Sequence, residues 1–221
     1  MAHGSNDSSK AEPVIVRLDG TALNEAKSIL YQAYRHEPTF QALFDSRRPG
    51  YDQRVRATIR ELISLYFDLR QEAIGIMLKD TLVAVAFIGD PDLRLNLTGQ
   101  LSWRIRMLLT AGFSATRRYM DYHEQIKQLL PASGAHQLPL MGVHPKYQNR
   151  GYGRMLLEAV ERLCADNARG SGLVLDTGNS RYLDFYESLG FRSLGKITVG
   201  NFEDYVLYRE VGPVISKASS A

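Results

Sequence analysis

The residues best suited to chemistry lie in one stretch, 140–158, which reads Leu-Met-Gly-Val-His-Pro-Lys-Tyr-Gln-Asn-Arg-Gly-Tyr-Gly-Arg-Met-Leu-Leu-Glu. This is the pattern of a strand, a polar loop and the start of an amphipathic helix. Gly151 and Gly153 stand where that helix begins. Glycine lets a backbone approach a ligand closely and adopt positive φ. The first N–H groups of a helix lack internal acceptors and carry the positive end of its dipole, so such a turn suits a phosphate. Lys146, Arg150 and Arg154 add positive charge. Two other phosphate motifs do not fit. A P-loop needs Lys and Ser or Thr after its last glycine, where this chain has Arg154 and Met155. A dinucleotide fingerprint needs a third small residue where Leu156 stands. What remains is Gln148-x-x-Gly151-x-Gly153, preceded by Val143 and Pro145.

The elements that must position this turn follow from periodicity. A strand is predicted at 14–18, with Val14, Val16 and Leu18 on one face. Helices are predicted at 23–34, stopped by Pro38, and at 51–69. A hairpin follows at 73–78 and 82–89. Two further helices, 101–110 and 114–130, meet at Gly112. Then come a strand at 136–143, a helix at 151–169, a strand at 172–177, a short helix at 182–189 and a closing hairpin at 192–199 and 202–208. This is a mixed α/β (α+β) order in which the helices of 91–130 look inserted. One domain is expected over 13–212, with flexible tails at 1–12 and 213–221.

Composition narrows the function. The chain has 221 residues, 44% hydrophobic and 23% charged, which is globular usage. A net charge of +3 from 27 basic and 24 acidic residues does not make nucleic acid the expected partner. The longest apolar runs, such as 82–88, are far shorter than the ~20 residues a membrane helix needs. The polar N-terminus lacks a signal-peptide core. One cysteine, Cys164, excludes an internal disulfide framework and a Cys-rich metal module, and points to a reducing, cytoplasmic setting.

At Gln148-x-x-Gly151-x-Gly153 the chain resembles the GCN5-related N-acetyltransferases (GNAT). A second signature follows: Val174-Leu-Asp-Thr177-x-Asn179, then Phe185-Tyr186-Glu-Ser-Leu-Gly190-Phe191. The resemblance is strong over 138–191, moderate over 14–18 and 73–88, and weak over 91–130. Residues 138–145, with His136 before them, look most like the puromycin acetyltransferase-like branch. The resemblance implies a mostly antiparallel central sheet with helices on both faces and an inserted helical pair. It implies acetyl-CoA as donor, no metal, and an amine as acceptor. Backbone N–H groups of Arg150, Gly151, Tyr152, Gly153 and Arg154 would hold the pyrophosphate. Met141 and Val143, flanking Gly142, would pair through their backbone with the pantetheine arm, as an added strand does. Gln148 and Asn149 belong to the same cofactor loop. Asn179 would hydrogen-bond the cofactor, and Tyr186 would sit near the thioester sulfur.

Acetyl transfer to an amine requires a neutral nucleophile, a stabilised oxyanion and a protonated leaving thiolate. Tyr186 is the candidate acid. His136, at the start of the strand that meets pantetheine, is the candidate base. His123 is a second candidate, weaker on sequence grounds, and a water chain could replace both. His144 reads as loop structure. Cys164 lies on the apolar stripe of its helix, so direct transfer is expected and not an acetyl-cysteine route. The acceptor side should be built from the early helices, with residues 35–40, Phe44, Tyr66 and Phe67, and from the inserted pair, with Trp103, Phe113, Tyr119 and Tyr122, although aromatics at helical spacing usually pack into the core. A small-molecule amine is the expected acceptor, and a homodimer is compatible with this reading. The alternatives are acetylation of a protein N-terminus or lysine, and a non-catalytic acyl-CoA sensor.

Overall fold

The computed structural model describes residues 12–91, 97–167 and 170–211. The expected tails at 1–12 and 213–221 lie almost wholly outside these residues. Seven strands form one sheet in the order β1-β2-β3-β4-β5-β7-β6. The strands are β1 (Pro13–Arg17), β2 (Glu72–Leu78), β3 (Thr81–Gly89), β4 (His136–Val143), β5 (Gly172–Thr177), β6 (Arg192–Val199) and β7 (Phe202–Glu210). Every pairing is antiparallel except that of β4 with β5. The predicted strands all form: burial alternates along β4, whereas β3 and β5 are buried almost throughout, as strands covered on both faces are.

Among the described residues, seven α-helices cover the two faces. They are α1 (Leu23–Tyr34), α2 (Pro38–Phe44), α3 (Tyr51–Asp68), α4 (Leu97–Ala111), α5 (Phe113–Leu129), α6 (Tyr152–Asp166) and α7 (Leu183–Ser188). Buried residues of α1 to α5 share one apolar cluster with Val85, Phe87, Leu140, Val174 and Val206 of the sheet. Those of α6 form a second cluster with Ile76, Leu138, Leu173, Leu175 and Leu207, and Leu183 and Tyr186 of α7 pack against it. The two clusters lie on opposite faces, since Val174 and its neighbours Leu173 and Leu175 divide between them.

One helix was not foreseen. Pro38 does not merely end α1; it occupies the first turn of α2, where its missing N–H costs nothing. α2 buries Thr39, Phe40, Leu43 and Phe44. The helix predicted at 101–110 begins earlier, at Leu97, and α6 spans Tyr152–Asp166, with 168–169 outside the described residues. No helix is long and apolar enough to cross a membrane among the described residues.

Close packing of α1 on β4 depends on one small residue. A Cβ on Gly142 would stand 3.0 Å from Ala33 Cβ and 3.2 Å from Leu30 Cδ2. A larger side chain would lift α1, and with it Tyr34, off the strand.

Candidate active site

β4 and β5 separate soon after they begin. They pair only at His136 with Leu173 and Gln137 with Val174, while β4 stays paired to β3 as far as Val143. The result is a gap between two neighbouring strands of one sheet. The His144 N–H donates to Val83 O at 2.9 Å. Alternation along an antiparallel ladder therefore turns the N–H and C=O of Met141 and Val143 away from β3 and into the gap. Two of these groups meet side chains there. The Met141 N–H donates to the Tyr34 hydroxyl at 3.1 Å, and Gln148 Nε2 donates to Val143 O at 3.1 Å. The Val143 N–H and the Met141 carbonyl face the same gap.

The loop after β4 is shaped as the sequence suggests. Asn149 and Gly151 both adopt positive φ, 60° and 83°, before α6 starts. Successive residues of this kind gather N–H groups into a concave anion site, and the first turn of α6 adds its own free donors. Lys146 and Arg150 both lie 5.6 Å from the centre of the Tyr147 ring, and Arg154 lies 5.9 Å from that of Phe185. His144 is loop structure, as expected: its Nδ1 accepts from the Lys146 N–H at 3.2 Å.

A cavity of about 480 Å³ runs through the gap. It is lined by Met141, Gly142, Val143, Gln148, Asn149, Gly151, Tyr152, Gly153, Arg154 and Tyr186. The same cavity touches Tyr34 of α1, Phe40 and Leu43 of α2, and Tyr119, Tyr122, His123 and Ile126 of α5. Since α5 and α6 cover opposite faces, the cavity crosses the sheet. One end is lined by the loop before α6, and the other by aromatic side chains. Its size is that of a small-molecule site.

Most predicted site residues therefore converge, but three do not line this cavity. Arg150 sits on the loop above Tyr147. Asn179 Oδ1 caps the turn after β5 by accepting from the Arg181 N–H at 3.2 Å, and its side chain also bonds Glu37. His136 is 2% exposed at the closed end of β4, with Nε2 3.5 Å from Asn167 O. It starts the strand at the point where β5 is still paired, so it cannot reach the gap that opens further on. The base predicted there is misplaced for a proton transfer in the cavity.

Of the residues expected around the acceptor, only some line the cavity. Tyr119 and Tyr122 line the cavity, as do Glu37, Thr39 and Phe40. Phe44, Tyr66 and Trp103 are core residues, and Phe113 is 69% exposed. Trp103 contributes indirectly: its ring tilts against Tyr119 at 5.7 Å. His123, the weaker candidate, does face the cavity, edge-on to Tyr119 at 4.3 Å. Burial pushes its pKa down to about 4, so it is neutral at physiological pH.

Residues the sequence reading missed sit at the centre. Asp176 of β5 lines the cavity, accepts a short hydrogen bond from the Tyr122 hydroxyl, and lies beside the buried Asp204 of β7. Asp204 Oδ2 accepts from Thr39 Oγ1 at 2.6 Å and is 3.3 Å from the Tyr122 hydroxyl. Burial raises both carboxyls above the ordinary range, and Asp204 pushes Asp176 further. Burial also raises Glu37 and holds Tyr34 and Tyr186 far above the usual tyrosine value, so both hydroxyls stay protonated. One signal for Asp176 was available: a carboxylate directly after the apolar run Leu173-Val-Leu175, still within the strand, needs a reason to be there.

Residues 110–193 match the family model described as Acetyltransferase (GNAT) domain. The fold is that of the GNAT acetyltransferases. A Corynebacterium glutamicum structure described as histone acetyltransferase HPA2 and related acetyltransferase is 18% identical, with a TM-score of 0.67 over 93% of this chain and 98% of that one. Arylalkylamine N-acetyltransferase 2 from Aedes aegypti is 13% identical, with a TM-score of 0.63 over 91% and 100%. The polyamine N-acetyltransferase of Drosophila melanogaster is 11% identical, with a TM-score of 0.61 over 89% and 98%. No curated protein sequence matches the chain. At these identities the likeness is one of fold, and the GNAT-like sheet expected from the sequence is the sheet observed.

Proposed function

We propose that this protein is an acetyl-CoA-dependent N-acetyltransferase that transfers the acetyl group directly to a primary amine of a small molecule. The observation that carries this reading is the cavity that crosses the sheet between β4 and β5. Its two mouths suit two substrates that meet in the middle. On the α6 side, the loop donors and Arg154 suit a pyrophosphate, and the backbone of Met141 and Val143 suits an extended pantetheine arm. On the α5 side, aromatic rings and carboxylates suit an amine with an apolar body. The enclosed shape favours a small acceptor over a folded protein surface. The likeness of 138–145 to the puromycin acetyltransferase-like branch agrees with that choice.

Tyr186 serves as the acid for the departing thiolate, since its hydroxyl stays protonated and the residue lines the cavity. The Met141 N–H, already committed to Tyr34, brings that hydroxyl to the same place, where it can donate its own proton to the carbonyl oxygen in the transition state. Cys164 takes no part. It is 3% exposed in the cluster beneath α6, and burial pushes its thiol up to about 12. Direct attack is therefore favoured over an acetyl-cysteine intermediate.

Release of free CoA thiol from acetyl-CoA, followed over a panel of alkyl and aralkyl amines, tests the reading. Amine-dependent release with intersecting double-reciprocal lines is expected, and Cys164→Ala should keep the rate. Release that no amine accelerates would contradict it, and parallel lines would contradict direct transfer.

A further inference from the structure

We infer that Asp176 receives the ammonium group of the acceptor and takes its proton, with Asp204 and Tyr122 holding the carboxylate in place. The inference rests on the acetyl-transfer reading and assigns that reaction the base for which His136 is misplaced. It also names the acceptor class: an amine that arrives as a cation on an apolar or aromatic body.

The placement follows from the sheet. Asp176 is two residues beyond Val174 and shares its face, the one covered by α1 to α5. It therefore stands on the aromatic side of the gap, where the acceptor must enter, while Tyr186 approaches from the α7 side. The groups facing Asp176 come from every surrounding element. Asp204 faces it from β7, Tyr122 and Tyr119 from α5, Tyr34 from α1, Tyr66 from α3 and Tyr186 from α7. All the tyrosines are neutral, because burial raises each of them, and His123 is neutral as well. Among the described residues that line the cavity, the only Lys or Arg is Arg154, which belongs to the loop mouth. The aromatic mouth thus presents carboxylates, Asp176 and Glu37, with no built-in counter-charge.

Two neighbouring carboxylates, one buried and one half-buried, bridged by one hydroxyl cannot both ionise readily without a cation nearby. An entering ammonium supplies that cation. Burial and the negative field of Asp204 keep Asp176 basic enough to accept a proton near neutrality, where an ordinary aspartate is too weak a base. The step balances as follows. Asp176 takes one proton from the ammonium. The freed lone pair on nitrogen bonds to the acetyl carbon, and the carbon–sulfur bond breaks. Sulfur leaves with the Tyr186 proton, and Tyr186 regains one from the nitrogen. The net proton remains on Asp176 and passes to water.

Glu37 is the competing carboxylate. It also lines the cavity and feels the charge of Asp204, but the Asn179 side chain engages it, and among the described residues no hydroxyl bridges it to a second carboxylate. The test measures pH profiles of kcat/KM for a reactive amine in the wild type, Asp176→Asn, Asp204→Asn and Glu37→Gln, with acetyl-CoA titrated into each. Asp176→Asn should bind acetyl-CoA normally, lose about 100-fold in kcat and lose the acidic limb of its profile. Asp204→Asn should move that limb to lower pH, because a like charge beside Asp176 is gone. Asp204 also raises Glu37, so should Asp176→Asn fail to fold, that shift decides the matter together with a limb kept in Glu37→Gln. An active wild type with an unaltered profile in Asp176→Asn, or a limb unmoved in Asp204→Asn, would overturn the assignment and leave acetyl transfer standing. A limb lost in Glu37→Gln and kept in Asp176→Asn would move the base to Glu37. A wild type inactive on every amine would remove the acetyl-transfer reading itself.

Discussion

Tyr186→Phe should lower kcat about 100-fold while acetyl-CoA affinity stays within about twofold. The two quantities separate because the substitution removes one oxygen and keeps the ring. That ring packs at 5.2 Å from Phe185 and 5.7 Å from Phe191, and a phenylalanine retains both contacts. A tyrosine with only a packing role would therefore show little change in rate. The hydroxyl matters because burial holds its pKa far above the usual value, so it keeps its proton near neutral pH. A departing thiolate that receives no proton re-forms the thioester in competition with product. Steady-state rates with a saturating amine, alongside calorimetric titration of acetyl-CoA, measure both quantities. A variant with unchanged kcat would show that the thiolate leaves unaided.

The second large effect is expected on donor binding. Val143→Pro should weaken acetyl-CoA about 10-fold, the worth of one backbone hydrogen bond near 1.4 kcal/mol. Proline removes the Val143 N–H, which faces the gap and takes no part in the ladder with β3. On such an edge proline is tolerated, since no sheet hydrogen bond is lost. The Val143 carbonyl and its bond from Gln148 are retained. Calorimetry reads the affinity, and the thermal midpoint reads the fold. Unchanged affinity in a folded variant would mean that the donor does not line up along β4 as a strand.

Local chemistry was legible in the chain and long-range juxtaposition was not. The strand, loop and helix over 140–158 announce themselves through period, glycine placement and charge, and the structure keeps them as read. The bridges that organise the aromatic mouth join residues far apart in sequence. Met141 meets Tyr34 across 107 positions, Tyr122 meets Asp176 across 54, and Thr39 meets Asp204 across 165. No spacing rule reaches that far. His136 shows the converse error: being on the right strand does not place a side chain in the site when the strands part only two residues later. α2 was lost because a proline that ends one helix can also begin the next. Residues of α5 line the cavity, whereas Trp103 of α4 packs behind Tyr119.

Hydrogen–deuterium exchange along the backbone, with and without saturating acetyl-CoA, tests the central claim most directly. The account predicts slower exchange on acetyl-CoA binding in two segments, the gap-facing half of β4 at 141–143 and the loop and helix start at 149–154. Binding that leaves both segments unchanged, or protects a different part of the sheet, would contradict it.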